Sequence, residues 1–127
     1  MERAIVIADD EAHIRMLIEQ SLEDLADEGV TILSVGNGQA ALDVVRERRP
    51  QLAILDVMMP GMNGFDVCQQ IKADAGMREV YVIILTAKGQ EFDRQRGAEV
   101  GADLYVTKPF DPDELLSTAR QVIESAA

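Results

Sequence analysis

The sequence predicts an α/β fold in which a parallel sheet lies between two layers of helices. Short apolar runs alternate with longer segments of helical spacing, and this alternation repeats along the 127 residues. Strands that alternate with helices in this way form a parallel sheet with helices on its faces. The length suits one hydrophobic core, so we predict a single domain over residues 1–127.

Short apolar runs, mostly rich in β-branched residues, predict the strands of this sheet. They are Ala4–Ala8, Thr31–Val35, Leu52–Leu55, Val80–Leu85 and Leu104–Val106. The first, third and fourth runs are almost continuously apolar, as strands covered on both faces are, whereas the second and fifth have polar interruptions or neighbours. The resulting strand order, 2-1-3-4-5, is that of the doubly wound, flavodoxin-like (βα)5 fold, a three-layer sandwich.

Stripes of apolar residues at helical spacing predict the helices. The stripes are Ile14, Leu17, Ile18, Leu22 and Leu25; then Ala41, Val44 and Val45; then Cys68 and Ile71, with Phe65 or Val67; and finally Leu115, Leu116, Ala119, Val122 and Ile123. N-terminal caps are predicted at Asn37, at Asn63 and in the segment DPDE at 111–114. Residues 90–99 contain only Phe92 and Ala98 as apolar anchors, so this fourth predicted helix is weakly anchored.

Charge and composition limit the partners that the chain can bind directly. The formal net charge is -11, from 23 acidic and 12 basic residues, and this surplus disfavours nucleic acid and anionic membranes. It favours a basic protein partner or a bound cation. A single cysteine, Cys68, allows no intrachain disulfide, and the sequence has neither a signal-peptide pattern nor an apolar run of about 20 residues. We therefore predict a soluble, cytoplasmic protein.

Polar side chains stand where four of the predicted strands end. Asp9 and Asp10 follow the first strand, Asp56 the third, Thr86 the fourth and Lys108 the fifth. The carboxyl ends of parallel strands lie on one edge of a sheet, and ligands of doubly wound folds bind at that edge. We therefore expect these five side chains to converge on one cleft.

Three clustered carboxylates repel one another and therefore require a cation. Oxygen ligands select a hard ion, and the lack of histidine or cysteine among them disfavours zinc. Mg²⁺ is predicted, because it binds through one or two carboxylates together with waters and phosphate oxygens. The formal charges of the three aspartates, Lys108 and Mg²⁺ cancel, so the filled pocket can admit a phosphoryl group.

Asp56 is the predicted nucleophile of this cleft. A carboxylate can attack phosphorus to form an acyl phosphate, and Asp56 faces the acid pair across the point where strand order reverses. The Thr86 hydroxyl and the Lys108 ammonium would stabilise negative charge on the transferring phosphoryl group.

The motifs that contain these residues resemble the receiver domains of two-component response regulators. They are ADDE after the first strand, LDVMMPGMNG around Asp56, LTA at 85–87 and YVTKPF at 105–110, in the family's order and spacing. The resemblance covers about residues 3–125 and implies a signalling switch rather than a conventional enzyme. Asp56 would accept a phosphoryl group from a histidine kinase or phosphotransfer protein, hydrolyse it slowly, and so control a downstream effector protein or output domain.

The resemblance also implies a set of metal ligands. Asp10 would bind Mg²⁺ directly and Asp9 largely through water, while Asp56 and the backbone carbonyl of Met58 would complete the protein ligands. Met58 and Lys88 occupy positions that are associated with the lifetime of the phosphoryl group. An apolar Met58 cannot orient a hydrolytic water, which favours a long-lived acyl phosphate.

Further roles that the resemblance implies concern the phosphoryl group and the switch. Thr86 and Lys108 would contact the phosphoryl group, Tyr105 would rotate when Thr86 moves, and the Lys108–Pro109 bond would be cis. The fourth predicted helix, the fifth strand and the last helix would form the output face, and the protein would be a monomer or a phosphorylation-dependent dimer.

Three other classes of protein share parts of this pattern. A haloacid-dehalogenase-like phosphatase would need a second acid two residues after Asp56, where the sequence has Met58. A nucleotide-binding protein would need a phosphate-cradling loop after the first strand, which ADDEAH does not supply. A degenerate receiver that serves only as a docking module remains the main alternative, although every key position of the pocket is filled.

Overall fold

The computed structural model describes residues 2–87 and 91–125, and within these ranges it has the predicted architecture. Its strands are β1 (Ala4–Ala8), β2 (Thr31–Val35), β3 (Leu52–Asp56), β4 (Tyr81–Ala87) and β5 (Leu104–Lys108). They form one sheet in the order β2-β1-β3-β4-β5, and every neighbouring pair is parallel. The predicted fold class and strand order are confirmed.

Helices cover both faces of this sheet. They are α1 (Ala12–Ser21), α2 (Glu23–Asp27), α3 (Gly38–Arg48), α4 (Gly64–Ala73), α5 (Glu91–Val100) and α6 (Pro112–Ser125). One hydrophobic core lies between the sheet and α1, α2 and α6, and a second lies between the sheet and α3, α4 and α5. Among the helices of the described ranges, none combines the length and the apolar character that crossing a membrane requires.

The central strands supply both cores, because successive side chains of a strand point to opposite faces. Ile5, Ile7, Leu52, Ile54, Ile83 and Leu85 enter the core beneath α1, α2 and α6. Val6, Ala8, Ala53, Leu55, Val82 and Ile84 enter the core beneath α3, α4 and α5. These residues are at most 1% exposed, whereas β2 and β5 lie at the edges and are partly exposed. The apolar continuity of strands 1, 3 and 4 thus predicted their central position correctly.

The first predicted helix is wrong in one respect, since its stripe forms two helices. The chain leaves helical geometry at Leu22, where φ is -102° and ψ is 10°, before α2 begins. Leu22 and Leu25 remain buried across this break. Leu17 was predicted to face the core but is 48% exposed, because the buried line runs through Ile18, one residue further along α1.

The predicted caps are present at the starts of three helices. The Asn37 side chain accepts a hydrogen bond from the N–H of Ala40 at 2.8 Å, at the start of α3. Asn63 and Asp66 form a reciprocal capping box at the start of α4. Asp111 caps α6 by accepting hydrogen bonds from two backbone N–H groups, with a proline as the first helical residue. These caps fix where α3, α4 and α6 begin.

The helix that was predicted to be weakly anchored corresponds to α5. Gln90 lies outside the described residues, as does the side chain of Phe92, so its predicted anchoring role stays a prediction. Ala98 was predicted as the other anchor, but it is exposed, because the described buried residues of α5 are Gly97 and Val100, one on either side.

The capping box predicts a measurable contribution to stability. Asn63→Ala removes the acceptor for the Asp66 N–H, and we expect the free energy of unfolding to fall by about 1 kcal/mol. Asn63→Ser keeps a side-chain oxygen and should lose only a fraction of this. Urea denaturation of the three proteins tests the prediction, and equal losses in the two variants would contradict it.

Candidate functional site

The carboxyl edge of the sheet carries the predicted polar residues. Asp9 and Asp10 follow β1, whereas Asp56, Thr86 and Lys108 lie within the last two residues of β3, β4 and β5. The side chains of Asp9, Asp56 and Thr86 are buried, and Asp10 is exposed. Such burial of carboxylates is costly unless partners compensate it.

The three aspartates form one cluster. Each offers a carboxylate oxygen, and these oxygens all lie within 4.8 Å of one another. The donor set contains oxygen alone, and a hard divalent cation at this position would relieve the repulsion of the acids. The residues present therefore fit Mg²⁺, as the sequence predicted, and Asp10 offers the carboxylate that is open to solvent.

Lys108 joins two members of this cluster. Its Nζ lies 2.5 Å from Oδ1 of Asp56 and 3.4 Å from Oδ2 of Asp9. The structure thus brings the predicted polar residues at the ends of β1, β3 and β5 together, while the proposed contact of Lys108 with a phosphoryl group stays a prediction. The bond that follows Lys108, to Pro109, is cis, as the family resemblance implies.

Burial and charge act in opposite directions on the central pair. Burial raises the pKa of Asp56, and the charges of Asp9 and Asp10 add to this, while the hydrogen bond from Lys108 acts against it; the net pKa is above the usual range. Burial lowers the pKa of Lys108, but its hydrogen bond with Asp56 and the nearby carboxylate charges outweigh burial, so its pKa is raised. The site therefore favours a protonated lysine and resists a fully ionised Asp56.

Backbone contacts that could not be predicted from the sequence hold Asp9 in place. Its Oδ1 accepts a hydrogen bond from the N–H of Glu11 at 2.9 Å, and its own N–H donates to the carbonyl of Val35 at 3.2 Å. Its backbone carbonyl accepts a 2.6 Å hydrogen bond from Nη1 of Arg15. Sequence reasoning missed Arg15, although a cation near the N-terminus of a helix runs against the helix dipole and could have marked it.

The loop after Asp56 turns back closely on the end of β3. A Cβ on Gly64 would lie 2.4 Å from the carbonyl oxygen of Asp56, so this position requires glycine. Met58, two residues after Asp56 in the sequence, is 76% exposed. The role of the Met58 carbonyl as a metal ligand stays a prediction, and Lys88, the other position tied to phosphoryl lifetime, lies outside the described residues.

Tyr105 lies on β5 with its ring partly buried. A Cβ on Gly97 of α5 would lie 3.1 Å from Cδ2 of this ring and 3.8 Å from Cε1 of Phe65. Gly97 therefore leaves the space that the ring occupies between β5, α4 and α5. Sequence analysis found Tyr105 and missed Gly97, because a glycine inside a helix shows its packing role only when its neighbours are known.

The chain is similar to known signalling proteins over nearly its whole length. The family model described as response regulator receiver domain matches residues 5–120. The probable transcriptional regulator ycf27 of Porphyra purpurea is 42% identical over 122 residues, which are 96% of this chain and 48% of that protein. The DNA-binding response regulator MtrA of Mycobacterium tuberculosis is 44% identical over 120 residues, 94% of this chain and 50% of that protein. The chain thus spans about half the length of these curated relatives.

Solved structures share the fold. The BeF3-activated receiver domain of DrrB has a TM-score of 0.84 at 31% identity, covering 98% of this chain and 99% of that one. The chemotaxis response regulator CheY4 of Vibrio cholerae has a TM-score of 0.82 at 28% identity, covering 96% of this chain and 99% of that one.

The raised pKa of Asp56 predicts that its ionised carboxylate lowers the free energy of unfolding of the metal-free protein, by an amount that depends on pH. An acid whose pKa is higher in the folded chain than in the unfolded chain loses stabilising effect as pH rises from 3.8 through the raised value. In EDTA, we expect Asp56→Asn to be more stable than the wild type at about pH 7. The difference should shrink as pH falls toward 3.8.

Urea denaturation at a series of pH values measures this difference. Asp43→Asn, which changes an exposed aspartate of α3, is the matched control and should show no such trend. A difference between Asp56→Asn and wild type that is constant with pH would contradict the prediction.

Proposed function

Because the chain belongs to the family of response regulator receiver domains, we propose that Asp56 is its phosphoacceptor and that phosphorylation switches its output face. The contact that carries this proposal is the Lys108 ammonium, which joins Asp56 and Asp9 within a cluster of three carboxylates. A domain of this family is a signalling switch of a two-component system. We further propose that residues 1–127 form one such domain and that it acts in the cytoplasm.

Phosphoryl transfer to Asp56 requires a nucleophile, a leaving group and compensation of charge. A carboxylate oxygen of Asp56 attacks the phosphorus of a phosphohistidine on a histidine kinase or phosphotransfer protein. The P–O bond forms as the P–N bond breaks, and the imidazole nitrogen leaves with the electron pair. Lys108, which contacts Asp56 before the reaction, then stabilises the negative charge on the phosphoryl oxygens, and the Thr86 hydroxyl contacts the same oxygens. Attack by water later restores the carboxylate and releases inorganic phosphate.

The carboxylate cluster would hold Mg²⁺ for this reaction. When bound, Mg²⁺ neutralises the acids and the phosphoryl oxygens. Asp10 is exposed and would bind it directly, whereas Asp9 is engaged with Lys108 and the Glu11 N–H and would act largely through water. Asp56 and the Met58 carbonyl would complete the protein ligands. The exposed, apolar Met58 side chain supplies no base for hydrolysis, which supports a long-lived acyl phosphate.

The proposed output face consists of α5, β5 and α6. Thr86 would move toward the phosphoryl group, and Tyr105 would follow into the space beside it. Two features support this: the Tyr105 ring rests against a glycine of α5, and α5 has few described buried residues. A small change at Thr86 can therefore bias the equilibrium between two arrangements of this face. Through it the protein would bind a downstream effector or an output domain, as a monomer or a phosphorylation-dependent dimer.

Direct binding of this domain to nucleic acid is not part of the proposal. The net charge of -11 opposes it. The mycobacterial relative is named a DNA-binding response regulator, and the chain corresponds to about half of that protein.

An apolar groove beside Lys108 is the proposed contact for the phosphodonor. It has a volume of about 360 Å³, and its walls include Ile14, Leu17, Gln20, Lys108, Pro109 and Phe110. The exposed side chains of Met16 and Leu17 extend the apolar surface along α1. Lys108 lines this groove and also contacts Asp56. A helix of the donor seated in the groove would therefore bring its phosphohistidine to Asp56.

The phosphoacceptor is tested by incubation with acetyl phosphate and Mg²⁺, followed by measurement of intact mass. We expect one added phosphoryl group on the wild type, none on Asp56→Asn, and none when EDTA precedes the donor. Because some receivers accept only from a kinase, beryllofluoride binding with Mg²⁺ is measured in parallel. Failure of both reactions in the wild type would favour the docking-module alternative over this proposal.

The donor groove is tested separately with Leu17→Ser. We expect kcat/KM for transfer from a phosphorylated histidine kinase to fall roughly 10-fold, because an apolar contact is removed from the interface. The rate with acetyl phosphate should stay unchanged, since this small donor has no helix to seat in the groove. Val44→Ser, a partly exposed apolar residue on the opposite face of the sheet, is the control. The kinase used is the member of a purified panel that transfers fastest to the wild type. Equal decreases in kcat/KM for Leu17→Ser and Val44→Ser would argue against the groove as the donor contact.

A further inference from the structure

Arg15 is a cation beside the phosphoryl site that the proposed reaction does not use. It lies near the N-terminus of α1, where a positive charge is disfavoured by the helix dipole. Its Nη1 donates a 2.6 Å hydrogen bond to the backbone carbonyl of Asp9, outside the helix. This bond, rather than any benefit to the helix, accounts for an arginine at this position.

The carbonyl that Arg15 contacts belongs to Asp9, a buried residue whose other polar groups also have partners. Asp9 is 0% exposed, its N–H donates to Val35, and its carboxylate engages the Glu11 N–H and Lys108. A buried carbonyl that loses its donor incurs a desolvation cost. Without Arg15, this carbonyl must therefore rotate toward water or stay unsatisfied.

Rotation of that carbonyl would move Asp10. The carbonyl of Asp9 and the N–H of Asp10 belong to one planar peptide unit. The hydrogen bond from Arg15 to this carbonyl therefore also fixes the orientation of the Asp10 N–H. Asp10 is exposed, unlike Asp9 and Asp56, and its carboxylate is therefore positioned chiefly by its backbone. Its oxygen nevertheless lies within 4.8 Å of those of the other two acids.

Gly36 provides the place for the guanidinium. A Cβ on this residue would lie 3.4 Å from Nη1 and 4.0 Å from Cζ of Arg15. The guanidinium therefore rests against bare backbone in the loop between β2 and α3. Arg15 thus connects the ends of β1 and β2 through a backbone carbonyl rather than through a carboxylate of the cluster.

We propose that Arg15 is a positioning residue of the Mg²⁺ site, which orients the Asp9–Asp10 peptide and thereby sets the affinity for the cation. The inference rests on the proposed function, because Mg²⁺ binding at the cluster belongs to that proposal. Residues that orient metal ligands typically change metal affinity 10–100-fold when replaced.

The experiment compares Mg²⁺ binding to the full chain by isothermal titration calorimetry. Arg15→Met keeps the apolar part of the side chain and loses the donor, and we expect its Kd for Mg²⁺ to rise about 10-fold. Arg15→Lys keeps one donor and should recover most of the affinity. Gly36→Val leaves Arg15 in place but crowds its guanidinium, and it should weaken binding in the same direction.

A matched control separates positioning from stability. Arg3 also donates to a backbone carbonyl, that of Glu28 at 2.9 Å, but it precedes β1 at the opposite edge of the sheet. Arg3→Met should lower the Tm in EDTA and leave the Kd for Mg²⁺ unchanged. Given a wild type that binds Mg²⁺, two results would overturn the inference. One is a Kd for Arg15→Met equal to that of the wild type, and the other is a Kd for Arg3→Met raised as much as that for Arg15→Met. A wild type that binds no Mg²⁺ would instead overturn the metal site of the proposed function.

Discussion

The structure depends on the convergence of three carboxylates at one edge of a parallel sheet. Strand order forces this convergence, because the ends of β1 and β3 are adjacent and each carries aspartate. Lys108 compensates part of the repulsion through its contacts with Asp56 and Asp9. Burial, together with the remaining repulsion, raises the pKa of Asp56, and the clustered oxygens suit a divalent cation. A site balanced in this way responds strongly to any ligand that changes its charge, and phosphorylation is such a change.

The competing functions separate on the same edge. A phosphatase with an aspartate nucleophile would need an acid where Met58 extends into solvent. A nucleotide-binding protein would need free backbone N–H groups after β1, yet this corner holds Asp9 and Asp10, and the N–H of Glu11 is bound to Asp9. A docking module that had lost its chemistry would not need to retain Lys108 in contact with two buried acids.

Much of the fold and of the site could be predicted from the sequence, because both follow from local regularities. Unbroken apolar strands are central, and polar residues at the ends of parallel strands share an edge. The features that escaped prediction depend on tertiary distances. The helix breaks at Leu22 although the apolar stripe continues in sequence. Arg15 bonds a carbonyl across the β1–α1 corner, and the packing role of Gly97 is visible only from the Tyr105 ring against it. No periodicity encodes such contacts, since each depends on where a second element packs.

The contact between Gly97 and Tyr105 has a consequence for signalling in the absence of a stimulus. The background output of a two-state regulator is set by the fraction of molecules that adopt the active arrangement unprompted. In the proposed switch, a glycine at this position would leave room for the ring in the arrangement described here and would thereby keep that fraction low. A change of about 1.4 kcal/mol in the free-energy difference between the two arrangements changes such a fraction tenfold. The steric cost of adding one methyl group to a tightly packed position is of this size. The ratio of signal to noise in the whole pathway would then be adjustable at one residue that never meets the phosphoryl group.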